Sequence, residues 1–168
     1  EELIMSMASV VCFGHKLLNH SYLAEAEQLN EKYKTALSLE TEYPLFYARI
    51  LLCQEKQIEA LTILQSVEED YQSTAFVIEN ILRLSITHKR PVSERTISFA
   101  KKIDTLQGWR LLAHYYAEKN NAKLAMNAAT KALLRAKSED VFAYVLYLVL
   151  HSKFCNKEFE QIKKIGRS

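Results

Sequence analysis

The sequence predicts an all-α chain built from helical hairpins, and three observations carry that expectation. The 168 residues include only 3 Gly and 2 Pro, too few for the tight turns of a sandwich or barrel and for most phosphate-binding loops. Apolar residues recur at i, i+3, i+4 and i+7 along most of the chain, the period of an amphipathic helix. Break signals divide these stretches into ten pieces of ~10–17 residues, and successive pairs take ~30–40 residues, the range of stacked repeats. At 49% hydrophobic and 25% charged, the chain has the composition of an ordered globular domain that needs no disulfide or metal staple.

The first helix is expected from about Leu3 to Leu18, broken by Asn19-His20-Ser21, with Ser21 as the N-cap of a second helix from Tyr22 to about Leu39. Tyr43-Pro44 is a boundary, and Pro44 suits the start of a third helix, Leu45 to Gln54. Lys56-Gln57 turns the chain into helix four, Ile58 to about Tyr71. Ser73-Thr74 caps helix five, Ala75 to about His88; Arg90-Pro91 precedes helix six, Val92 to Ile103. Thr105 or Asp104 caps helix seven, Leu106 to Lys119, and Asn120-Asn121 leads into helix eight, Ala122 to Lys137. Ser138 caps helix nine, Glu139 to Phe154, and Asn156 opens helix ten, ending at Gly166. The connections are short, so consecutive helices are antiparallel neighbours. The expected pairs are 3–39, 45–71, 75–103, 106–137 and 139–166, in one domain spanning 1–168.

The fourth pair carries a recognisable pattern. Trp109, Leu112, Ala113 and Tyr116 lie on one helix face, and Ala125, Ala129 and Ala132 follow on the next helix, with Ala125 sixteen residues after Trp109. This resembles the tetratricopeptide repeat, in which small residues on the second helix let the first pack close and an aromatic fills the gap between pairs. Ala113 replaces the family's usual Gly, Ala129 its usual aromatic, and Lys137 stands near its usual Pro. The other pairs match more loosely. Phe13-Gly14, Leu17 and Ala26 mark the first, and Glu59-Ala60-Leu61 the second, with Ala60 thirty-four residues after Ala26. In the third, Val77, Ile81 and Leu84 align with Trp109, Ala113 and Tyr116, and Ala100 precedes Ala132 by thirty-two residues. The fifth begins with Ala143, thirty-four residues after Trp109. The resemblance implies a right-handed α–α superhelix of about five antiparallel pairs.

The same resemblance implies a non-catalytic scaffold that binds a peptide or helix of a protein partner in a concave groove. Carried over position by position, the groove residues are Arg110, His114 and Glu118 in the fourth pair. In the first they are Val11, His15 and Asn19, and in the fifth Tyr144, Leu148 and His151 or Ser152. Val11 and Ile78 stand where the family's basic carboxylate clamp needs polar residues, so a mixed apolar–polar ligand is expected. The alternative is an oligomerisation or effector-binding module of a larger protein, such as a bacterial regulator.

Other classes of function find little support. Lys and Arg number 22 against 20 Asp and Glu. The basic residues are scattered, save for Lys153, Lys157, Lys163, Lys164 and Arg167, which Glu158 and Glu160 interrupt. No nucleic-acid partner is therefore expected. The longest apolar run, Val141–Leu150, is too short for a bilayer, and no signal peptide is visible at the start. It reads as core or as a self-association face, covered on one side by Phe159, Ile162 and Ile165. Helix five, apolar almost all round, reads as buried on several sides. Cys12, Cys53 and Cys155 are odd in number and widely spaced, which suits reduced thiols in the cytoplasm. Cys12/His15 and His151/Cys155 each offer two metal ligands where a structural zinc site needs four, so each reads as a buried Cys beside a surface His. Glu25/Glu27 and Glu68/Glu69/Asp70 read as solvated acids. No nucleophile elbow, phosphate loop or zinc-protease motif is present, and neither enzyme activity, cofactor nor metal is expected.

Overall fold

The computed structural model describes residues 6–137 and 140–165, with Val141 and residues 155–165 described as backbone alone. The described residues form nine helices and no strand: α1 (Met7–Asn19), α2 (Leu23–Leu37), α3 (Tyr43–Cys53), α4 (Gln57–Ser66), α5 (Ala75–Thr87), α6 (Glu94–Ile103), α7 (Leu106–Glu118), α8 (Ala122–Arg135) and α9 (Val141–Ile165). The chain divides into two compact units, residues 1–71 and 72–168.

In the first unit, α1 packs on α2 and α3, and α3 packs on α4. Val10, Val11, Ala26, Leu37, Tyr43, Phe46 and Ile50 form the core. The close approach of α1 to α3 depends on Gly14, where an added Cβ would lie 2.5 Å from the Phe46 ring. Asn30 is buried and accepts a hydrogen bond from the Tyr43 hydroxyl at 3.1 Å, which satisfies its polar side chain. In the second unit, α5 packs on α6 and α7, and α8 contacts both α7 and α9. The alanines of α8 make this possible: Ala125, Ala128, Ala129 and Ala132 are all buried and keep the neighbouring backbones close. Trp109 is 4% exposed. Its Nε1 donates to Asp104 Oδ1 at 2.7 Å, and Lys131 Nζ stands 4.5 Å from the ring centroid.

Four helix ends share one local closure. Ser21, Glu55, Lys89 and Asn120 all have positive φ, between 52° and 64°. Each follows a first helix of a hairpin, and in each case the next residue's amide reaches back to a carbonyl five residues before it. Tyr22 N bonds Leu17 O at 2.9 Å, Lys56 N bonds Leu51 O at 2.9 Å, Arg90 N bonds Ser85 O at 2.8 Å, and Asn121 N bonds Tyr116 O at 2.9 Å. This is a Schellman closure made without glycine. The positions 21, 55, 89 and 120 recur at intervals of 34, 34 and 31 residues.

The closures correct several sequence expectations. Ser21 is the left-handed residue that ends α1, and Tyr22 takes the N-cap position. Counting back from each closure aligns Ile78, Leu82 and Ser85 with Trp109, Ala113 and Tyr116, one residue later than periodicity suggested; α5 is apolar on so many sides that a one-residue slip leaves its pattern nearly unchanged. Glu79, not Ile78, is the counterpart of Arg110. Thr105 caps α7 by accepting from Gly108 N, while Asp104 is the left-handed end of α6. Helix α4 stops at Ser66, and the following turn is tied down by the Tyr71 hydroxyl on Thr41 O. That turn buries Glu68, expected to be solvated. Cys12 is exposed rather than buried, and Cys53 is exposed as well; Cys155 lies outside the described side chains. The expected break at Asn156 is absent. Helix α9 runs on to Ile165, through Lys157, Glu158, Glu160, Gln161, Lys163 and Lys164, all good helix formers. The side chains of Phe159, Ile162 and Ile165 lie outside the description, as do residues 138 and 139.

Candidate binding surface on the hairpin first helices

The shared closure supplies a common ruler for the first helix of each hairpin. Six residues before the left-handed residue stand His15, Arg49, Arg83 and His114. Ten before it are Val11, Leu45, Glu79 and Arg110, and two before it Asn19, Cys53, Thr87 and Glu118. Positions four apart share a helix face, so each set of three is a stripe along its helix. The middle row is wholly basic or imidazole. Arg49 and Arg83 belong to it and were missed by sequence reasoning, although His15, Arg49 and Arg83 are spaced by 34 and 34 residues.

In the first unit the stripes of α1 and α3 meet. Arg49 Nη1 lies 2.9 Å from His15 Nδ1 and Nη2 donates to Asn19 Oδ1 at 2.6 Å. A guanidinium is always a donor, so Nδ1 accepts and the His15 proton sits on Nε2. Partial burial and the Arg49 charge beside it favour the neutral imidazole; the ring also packs edge-on against Phe46 at 5.6 Å. Burial and Arg49 hold its pKa below the ordinary value, and Glu42 only partly opposes them. Val11 is buried in the core and cannot line a surface.

In the second unit Arg110, His114 and Glu118 run along α7. Burial first, and Arg110 second, lower the His114 pKa, with Glu118 opposing. Arg110 is half-buried; its Nε is fully buried with no hydrogen-bond partner, and its guanidinium carbon stands 5.6 Å from the Phe142 ring centroid. On α5, Arg83 Nη2 donates to Asn80 Oδ1 at 2.7 Å, and the Glu79 carboxylate accepts from the Thr105 hydroxyl.

Helix α9 departs from the expected pattern. Ala143, Leu146, Leu150 and Phe154 are buried, while Phe142 is 71% exposed and Leu148 62%, with Tyr144, Val145 and Val149 also exposed. Phe142 of α9 meets Arg110 of the α7 stripe. Tyr144 lies two residues on, about 160° around the helix, so the structure does not bring Tyr144, Leu148 and His151 together with Arg110 and His114. His151 is exposed and its ring is 6.0 Å from Tyr147. Among the described residues no group of three or more His, Cys, Asp or Glu could hold a metal ion, and no helix is long and apolar enough to cross a membrane. No protein-family model, curated protein or solved structure matches the chain.

Proposed function

We propose that the chain is a non-catalytic recognition module of stacked helical hairpins, resembling tetratricopeptide repeats, that binds a peptide or helix carrying both carboxylates and apolar side chains. The observation that supports this most is the row His15, Arg49, Arg83 and His114. Within each unit, the register position six residues before a closure carries a nitrogen-rich side chain: His15 and Arg49 in the first, Arg83 and His114 in the second. Arg110 adds a guanidinium with a buried, unpartnered Nε. Such a group gains most from a carboxylate that engages its fork. Phe142 beside it offers apolar contact. The helices hold these groups in place before binding, so little ordering entropy is lost.

The test is a peptide array varied in acidic content. Acidic peptides with apolar neighbours should bind, and Arg83→Ala/Arg110→Ala should weaken them about 10- to 100-fold, as expected for one or two charge-assisted bonds. The melting temperature should hold. Unchanged affinity in that variant would remove the α5–α7 stripe as the site. The exposed apolar face of α9 favours a second reading, self-association. Leu148→Glu should then turn a dimer seen by sedimentation into a monomer.

A further inference from the structure

The third hairpin turn differs from the other three in two ways, and both differences fall at one place. In hairpins one, two and four the residue after the left-handed position is already the N-cap of the next helix: Tyr22, Lys56 and Asn121. After Lys89 the chain inserts Arg90, Pro91 and Val92 before the cap Ser93. Four residues before the closure the other hairpins carry Leu17, Leu51 and Tyr116, all bulky; the third carries Ser85. A longer turn and a truncated side chain leave an open cleft of about 540 Å³ between the ends of α5 and α7. Its walls include Ser85, Lys89, Arg90, Tyr115, Glu118 and Lys119.

We propose that this cleft is an oxyanion site for a phosphate group carried on a larger molecule. Three cations line it against one lining carboxylate, Glu118, with the Glu94 charge also felt at Tyr115. The side chains of Lys89 and Arg90 are in no ion pair among the described residues, and Lys119 only leans on the Tyr115 ring at 5.9 Å. The Ser85 hydroxyl is 0% exposed and lacks a hydrogen-bond partner. A buried unpaired hydroxyl is costly, and Ser85 is one of the residues that line the cleft, so a small outward rotation of its side chain would let a bound oxygen accept from it. Helix C-termini ordinarily repel anions. Here the last carbonyls are already engaged: Leu84, Ser85 and Ile86 accept from His88, Arg90 and Lys89, and Tyr115, Tyr116 and Ala117 from Lys119, Asn121 and Asn120. The cleft is much larger than one phosphate. Ile86, Pro91 and Tyr115 line the remainder and suit an apolar or aromatic carrier. The cleft shares only Glu118 with the α7 stripe; its cations, Lys89, Arg90 and Lys119, lie outside that stripe, so the proposal does not rest on the peptide reading.

Phenyl phosphate and inorganic phosphate are titrated into the ¹⁵N-labelled chain and followed by amide shifts. Shifts centred on residues 85–92 and 115–119, weakened at least about tenfold in Arg90→Ala/Lys119→Ala, would support the site. Lys89→Gly, which relieves a left-handed Lys and keeps the fold, should also weaken binding. Tighter binding of phenyl phosphate than of phosphate assigns the group to a larger carrier; equal binding assigns the site to the free ion. No shift at these amides up to millimolar ligand, or equal binding by the double variant and Lys89→Gly, would overturn the proposal.

Discussion

Gly14→Ala tests the packing of the first unit at its tightest point. The new Cβ would sit 2.5 Å from both Cε2 and Cζ of Phe46 and 3.2 Å from Cδ2. Carbon contacts relax only near 3.5 Å, so the ring must retreat by about 1 Å. Phe46 is fully buried, and its ring is already edge-on to His15, so the retreat disturbs a filled core. Overpacking of this kind costs ~1–3 kcal/mol. Replacing Gly by Ala inside a helix returns ~1 kcal/mol, which leaves a net loss of ~0–2 kcal/mol. Ala48 and Ala113 occupy the same register position in α3 and α7, so a methyl group is tolerated there when no ring opposes it. A double-mutant cycle separates the contributions. With Phe46→Leu in place, Gly14→Ala should stabilise by ~1 kcal/mol, since the helix gain then stands alone. Urea unfolding followed by far-UV circular dichroism supplies the free energies. The sole tryptophan, Trp109, lies in the other unit, so its fluorescence reports residues 72–168 while the substitution acts on residues 1–71. If Gly14→Ala stabilises the parent chain as much as it stabilises the Phe46→Leu chain, the α1–α3 contact described here is wrong.

Trp109→Ala should cost ~3–5 kcal/mol, the range for a large aromatic in a core, read as a fall in the urea midpoint. A loss below ~1 kcal/mol would refute its burial between α6, α7 and α8. His15 and His114 have lowered pKa values, so below ~6.5 the unfolded chain binds more protons than the folded one and stability falls with pH. Melting curves from pH ~7.5 to ~5 should show this loss, and His15→Gln/His114→Gln should flatten it; an equally steep double variant would refute the assignment. Lys89→Gly should raise stability by ~1 kcal/mol by removing the strain of a left-handed Lys. A lowered melting temperature would show that the closure at Lys89 is not left-handed.

Much of the architecture is legible in the residues themselves. The 3.6-residue period and the scarcity of Gly and Pro determined that the chain is helical, because both act over a few residues and survive any packing. The alanine face of α8 and the burial of Trp109 followed from the same period, while the equivalence of His15 and His114 came from the resemblance to the tetratricopeptide repeat. The hairpin turns were placed to within a residue or two, but their chemistry was not legible. A non-glycine residue in the left-handed region is disfavoured locally and is held there by closing bonds to the preceding turn, so Ser21 read as a cap and nothing marked Lys89. The register of α5 needed the closure, since a helix apolar on most sides has no unique face. Lateral relations lay further out of reach. That Arg49 reaches His15 and Asn19, that Phe142 rather than Tyr144 meets Arg110, and that a serine and a three-residue insertion open a cleft beside three cations all depend on which helix faces which. Periodicity orders a helix about its own axis; only the packing of one helix against another decides what stands opposite.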